Sequence, residues 1–109
     1  EVKITEQFFV IKNLKTGKFV FKFSNAVVGA TFTPLAQHAK CFHTFEQAAS
    51  TIEEIRVFFN NKERAARAKE GEYQYYYIES AIKEYEKHAS QLVICKLKRT
   101  VSISQGVEL

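Results

Sequence analysis

No aspartate occurs in this chain; all twelve acidic residues are Glu. Asp is a common turn residue and a frequent participant in metal-assisted catalysis, whereas Glu is the better helix former. Its absence therefore biases the sequence towards helices and removes the raw material of Asp-dependent reactions. Glycine is scarce, at four residues, and none belongs to a phosphate-binding loop, a nucleophile elbow or a dinucleotide fingerprint. An HExxH zinc motif is also missing, and the adjacent Glu53 and Glu54 point to different sides of a helix rather than converging. The expectation is a protein that is not an enzyme, with no catalytic residues and no cofactor. Two cysteines, Cys41 and Cys95, do not make a disulfide framework, so a reducing, cytoplasmic setting is expected. No apolar run reaches the roughly 18 residues of a membrane span and no signal-peptide pattern opens the chain, so no membrane association is expected. Glu1 is not an initiator Met, which leaves room for residues or a removed leader upstream.

What the chain does have is apolar bulk. With 46% hydrophobic residues, ten Phe and five Tyr in 109 residues, one domain spanning residues 1–109 can build a single core without a disulfide or metal staple. Leu92 to Ile103 alternates throughout. Val93, Cys95, Leu97, Val101 and Ile103 fall on one side, and Ile94, Lys96, Lys98, Thr100 and Ser102 on the other. A period of two predicts a strand, with the first set expected in the core and the second on an open face. Gln7–Ile11 and Lys18–Phe23 are aromatic and β-branched, and Gly17 between them can close a hairpin in the left-handed conformation. Phe9, Ile11, Phe19, Phe21 and Phe23 are expected inside, and Phe8, Val10, Lys12, Val20 and Lys22 outside, although a one-residue slip would invert the assignment. Ser24–Leu35 is broken by Asn25, Gly29 and the only proline, Pro34; within it Ala30–Thr33 reads as a short strand, and Ala39–His43 as a further edge strand.

Thr44-Phe45-Glu46-Gln47 has the form of a helix capping box. Phe45, Ala48, Ala49, Ile52, Ile55 and Phe59 recur at three- and four-residue steps as a core-facing stripe, and Asn60-Asn61 is expected to end that helix. A second helix is predicted from Lys62 to about Gln91, interrupted at Gly71, with Tyr75, Ile78, Ala81, Ile82, Tyr85, Ala89 and Leu92 on one side. The order β-β-(β)-α-α-β predicts an α+β fold: an antiparallel sheet, made from the N-terminal hairpin and the C-terminal strand, covered on one face by two helices.

Charge is distributed unevenly. Residues 1–43 carry six Lys against two Glu, residues 44–90 seven Lys/Arg against nine Glu, and residues 91–109 three Lys/Arg against one Glu. The cationic excess thus belongs to the predicted strands. On the expected open face, Phe8, Val10 and Ile94 would lie among Lys12, Lys22, Lys96 and Lys98, a composition suited to a protein partner or a homodimer. The competing structural reading is that the lysine stems lie along the apolar residues and only keep that face soluble. Nucleic acid is the alternative partner, with phosphates on the lysines and a base on Phe8. Against it stand only four Arg and no recognised nucleic-acid-binding motif. Lys62, Arg64, Arg67 and Lys69 followed by Tyr73, Tyr75, Tyr76 and Tyr77 form a second basic-aromatic run, but interspersed Glu63, Glu70 and Glu72 read as a solvated helix face. Tyr75, Tyr76 and Tyr77 point about 100° apart on a helix, so at least one is expected outside, and Tyr76 is taken as a contact residue. His38-x-x-Cys41-x-His43, with the distant Cys95, offers zinc-type ligands and a Cys–His pair, but its spacing matches no usual pattern, and no metal is expected.

The run Phe9-Val10-Ile11-Lys12-Asn13-Leu14-Lys15-Thr16-Gly17-Lys18-Phe19, followed by Ala39-Lys40-x-Phe42-x-Thr44-x-x-Gln47-Ala48, resembles a module of small, uncharacterised phage and mobile-element proteins. These open with a hairpin around a TGK turn and pass through an AKxF strand into a capped helix. The resemblance covers roughly residues 8–55 and leaves the rest of the helical segment and the final strand outside it. It implies a protein of the host cytoplasm that acts by binding a host factor, as an inhibitor or anti-defence protein. It assigns no site residues.

Overall fold

The computed structural model describes residues 2–23, 29–69, 71 and 74–103. Four strands, β1 (Val2–Asn13), β2 (Phe19–Phe23), β3 (Ala30–Thr33) and β4 (Leu92–Ile103), form an antiparallel sheet in the order β3-β2-β1-β4. Two helices, α1 (Phe45–Ala68) and α2 (Gln74–His88), complete the α+β architecture. The molecule is elongated, 71 × 29 × 23 Å.

The N-terminal hairpin closes as expected. Gly17 has φ 73° and donates its N–H to the Asn13 carbonyl at 2.8 Å, while the Asn13 N–H reaches the Lys18 carbonyl at 2.8 Å. Glycine takes that left-handed φ without the strain that most other residues incur there. Strand β1 begins at Val2, five residues earlier than its aromatic centre suggests, because β4 supplies a partner for every residue from Val2↔Ile103 to Asn13↔Leu92. The last strand therefore lies beside the first. Beyond its single register pair Lys12↔Phe19, β2 leaves β1, and residues 40–42 take its place. Phe9 and Phe42 exchange both backbone hydrogen bonds at 2.8 Å, and the Lys40 N–H donates to the Val20 carbonyl at 2.9 Å. The Ala39–His43 segment is thus wedged between β1 and β2 rather than lying at an edge.

The core consists of Ile11, Val20, Phe42, Leu92 and Ala89 against Ala48, Ile52, Ile55 and Phe59 of α1, with Phe9, Phe23, Phe32 and Ile94 packed around it. Fully burying residues such as Ile11 and Ile55 stabilises the fold by about 1.5–3 kcal/mol each. The hairpin's inner face is the expected one on β1 and on Phe23, but it is inverted at the start of β2. Lys12 pairs with Phe19 and sits over its ring, so Phe19 is on the outer side, Val20 is fully buried, and Phe21 is 42% exposed at a register shift between Val20 and Lys22. The extra residue restores Phe23 to the inside, where it meets Phe58 edge-on.

Helix α1 starts at its predicted cap. Thr44 Oγ1 accepts from the Gln47 N–H at 3.2 Å, and the Gln47 side chain accepts from the His43 N–H, one residue before the cap. It runs through Asn60-Asn61, contrary to the expected end. The stripe Ala48-Ile52-Ile55-Phe59 continues to Ala66, and its burial outweighs a propensity penalty of less than about 0.7 kcal/mol per Asn. The break comes instead after Ala68, where Lys69 turns extended at φ −72° and ψ 139°, and Gly71 at φ 121° follows two residues later. Along α2, Ala81 is buried and Ile78 and Tyr85 are half-buried, whereas Tyr75 and Ile82, expected on the same side, are exposed. Glu70, Glu72, Tyr73 and residues 24–28, which also figure in the sequence reading, lie outside the described residues.

Candidate functional site

The surface anticipated from the sequence does not assemble on one face. Phe8, Val10 and Lys12 share the outer face of the sheet with Leu97, Cys95 and Val93, their β4 partners, and Lys22 lies on that side of β2. Ile94, Lys96 and Lys98 pair with Ile11, Phe9 and Gln7 and therefore project to the opposite, helix-bearing side. The alternation along β4 holds, but the set expected to be open lies on the side that carries the helices; α1 reaches it only at Leu92 and Ile94, and Lys96 and Lys98 stay exposed beyond the helix. Phe8 and Val10 are themselves buried, at 8% and 2% exposure. The Phe8 ring lies against His43, with ring centroids 5.6 Å apart, and under the Arg99 guanidinium at 4.9 Å. Lys12 and Lys22 extend over the rings of Phe19 and Phe21. The outer face is thus occupied by contacts within the chain. Tyr76 sits on α2, 66% exposed and edge-on to Tyr77 at 5.9 Å, beside a groove of mixed charge with Glu79, Lys83, Glu84 and Lys87.

Neither titratable candidate forms a reactive cluster. Cys41 is exposed and Cys95 half-buried, both as free thiols; the Cys41 thiol points at the Ala39 carbonyl, while the His43 ring is spent on Phe8. Among the described residues, no three His, Cys or acidic side chains come together as metal ligands, and no helix is long and apolar enough to cross a membrane. His88 is stacked between Phe32 at 5.4 Å and Phe59 at 5.6 Å, and burial, reinforced by the positive charge of Lys87, lowers its pKa.

A different site emerges at the sheet edge. Among the described residues no strand pairs with β4 on the side away from β1. Which backbone groups face that edge follows from hydrogen-bond phase. Phe9 and Asn13 direct backbone hydrogen bonds away from β4, to Phe42 and Lys18 respectively. In an antiparallel ladder, residues opposite such positions turn their own N–H and C=O outward too. These are Lys96 and Leu92, and by alternation also Ile94, Lys98 and Thr100. Beside this edge lies a groove of about 360 Å³ between β4 and α1. Phe45, Ala49 and Ile52 line it from the helix and Leu92, Val93 and Ile94 from the strand, with Glu53 and Arg56 beside them. Phe45, expected in the core-facing stripe, is 53% exposed and meets the Phe9 ring edge-on, centroids 6.2 Å apart. Arg56 is held by its Nε, which donates to the Ala89 carbonyl at 3.3 Å.

The edge thus combines unpaired hydrogen-bonding groups, an apolar slot beneath Ile94, and the exposed Lys96 and Lys98 further along the strand. Phe45, Ala49 and Arg56 had no functional role in the sequence reading. The available signal was that Phe45 and Ala49 extend the α1 stripe sideways beyond the residues needed to cover a sheet. No protein-family model, curated protein or solved structure matches this chain.

Proposed function

We propose that this chain is a non-enzymatic protein-binding module that captures an extended segment of a partner by adding it to the free edge of β4. The observation that carries the reading is the coincidence of outward-facing N–H and C=O groups on Ile94, Lys96 and Lys98 with the apolar groove between β4 and α1. Main-chain pairing supplies affinity in such an arrangement, and pockets for alternate side chains supply selectivity. A partner strand seated there is withheld from its own sheet or complex, so the consequence of capture is inhibition. On the resemblance to phage and mobile-element proteins, that partner is a host factor in the host cytoplasm.

The test uses a displayed library of extended peptides, followed by fluorescence polarisation on the selected sequences. Lys96→Pro removes one outward N–H without breaking a bond to β1, as proline at a sheet edge does; Lys96→Ala keeps that N–H. Selected peptides are expected to bind the wild type and Lys96→Ala, and to lose at least about tenfold in affinity on Lys96→Pro with unchanged circular dichroism, one lost hydrogen bond being worth about 1 kcal/mol before the ladder around it is disrupted. Equal binding to Lys96→Pro would refute strand addition. The alternative reading, a nucleic-acid module, draws on Lys3, Lys96 and Lys98 lying on one side of the β1/β4 ribbon. It is favoured instead if single-stranded oligonucleotides bind with affinity falling steeply with salt and Lys96→Glu with Lys98→Glu abolishes that binding.

A further inference from the structure

We infer that the captured segment is acidic at alternate positions: an antiparallel strand of the pattern acid-x-acid-x-apolar, read from its N-terminus, with the acids opposite Lys98 and Lys96 and the apolar residue opposite Ile94. The inference rests on strand addition at β4 and specifies the partner's chemistry. Directly paired residues of neighbouring strands project to the same side, with Cβ atoms about 4.5–5.5 Å apart. A residue opposite Ile94 therefore enters the slot made by Phe45, Ala49 and Ile52. Residues opposite Lys96 and Lys98 meet two exposed ammonium groups, neither of which is paired with a carboxylate among the described residues. The intervening residues fall on the outer side, next to Cys95 and Leu97, where β-branched side chains fit the pleat. An antiparallel orientation is chosen because its ladder is the more stable per residue.

The same charges argue against a second copy of this chain as occupant. Two β4 edges related by a two-fold axis pair outward-facing residues with one another. Centring the pair on Lys96 or on Lys98 sets that lysine against its own copy, and centring it between them sets Lys96 against Lys98; registers centred elsewhere on the strand escape this repulsion but give up the pairing of both lysines with carboxylates that an acidic strand offers. Like charges directly opposite are destabilising, and lysine at an edge is a familiar guard against self-pairing. What repels a copy attracts an acidic strand.

The experiment compares two labelled peptides, acetyl-TETETLT-amide and acetyl-TKTKTLT-amide, titrated with the full chain and with Lys96→Glu/Lys98→Glu. Two opposite-charge pairs exchanged for two like-charge pairs predict that the acidic peptide binds the wild type about tenfold more tightly than the basic one. The double variant reverses the order. Equal affinity for the two peptides, or an unreversed order, overturns the acidic pattern and leaves strand addition standing. Failure of both peptides to bind, or acidic-peptide binding that survives Lys96→Pro, overturns strand addition itself. A dimer in sedimentation of the chain alone, dissolved by Lys96→Pro, would assign the edge to a second copy and overturn the inference.

Discussion

From Phe8 to Asn13, β1 has β4 on one side, Phe42 and β2 on the other, and α1 beneath it; from Val2 to Gln7 its one strand partner among the described residues is β4. The two halves share one unbroken register, yet Ile11 is fully buried whereas Val2, Ile4 and Val101 are 61%, 42% and 37% exposed. Their cross-strand ladders are alike, so what differs is burial. A two-stranded ribbon is marginal in water by itself, and the overhanging half owes its order to being continuous with the covered half. The comparison also bears on the proposed docking, since among the described residues no strand pairs with the outer edge of β4 along either half, and an apolar groove lies beside that edge where α1 is present.

The most direct way to break the comparison is to make the same truncation in both halves. Ile11→Ala leaves a cavity under α1 and is expected to cost about 2–5 kcal/mol in urea denaturation. Ile4→Ala, seven residues earlier on the same strand, removes a side chain already in water for much of its surface and should cost about 0.5 kcal/mol. Amide exchange should follow the same gradient, slow at Val10 and fast at Ile4 and Glu6, whose N–H groups share its phase and also face β4. Comparable losses for the two variants would mean that the overhang is buried in solution.

Polar contacts provide a second, smaller contrast. Asn13, only 1% exposed at the covered end, donates through its side-chain amide to the Lys87 and His88 carbonyls at 2.8 and 3.2 Å, and accepts from the Lys15 and Thr16 N–H groups. One residue thereby satisfies both the hairpin turn and the end of α2. Asn13→Ala strands those groups and should cost about 1–3 kcal/mol. In the overhang, Glu6 and Arg99 form an exposed ion pair at 3.2 Å. Glu6→Gln there should cost at most about 1 kcal/mol, decreasing with added salt.

These contrasts also mark how much was legible in the sequence. The α+β class, the Gly17 turn and the Thr44 cap were readable because local chemistry decides them. Which side of β4 lies under α1 was not, because both alternating sets are apolar where the strand is covered: Leu92 and Ile94 on one, Val93, Cys95 and Leu97 on the other. The choice is made by long-range register, through Phe9 pairing at once with Lys96 and Phe42. Phe19 and Phe21 were misplaced for a related reason, since a bulge shifts the phase of a strand without any proline or glycine to announce it. Asn60-Asn61 misled because turn propensity was weighed without the burial of Phe59 and Ala66 on either side. The edge site escaped notice for the same reason as the register. Outward-facing N–H groups are a property of pairing, not of residue type.

The smallest expected effect concerns His88, which lies at the covered end and links three elements through its stacking on Phe32 of β3 and Phe59 of α1. Burial and the charges of Lys87, Lys62 and Lys18 disfavour its protonated form, only partly offset by Glu84. Its pKa in the folded chain is therefore below the ordinary 6.5, and the unfolded chain takes up the proton more readily. The contribution is complete above the unfolded value and is lost as pH falls from there through the depressed folded value. Urea midpoints should accordingly decline between pH 7.5 and pH 5.5, by an amount reduced by partial solvent access at the site (roughly that window brackets an ordinary histidine). His88→Phe keeps an aromatic ring between Phe32 and Phe59 and has no proton to gain, so its midpoint should decline less over the same range. An identical decline in both proteins would show that the imidazole stays neutral-indifferent in its stack and that the pH response originates in other groups.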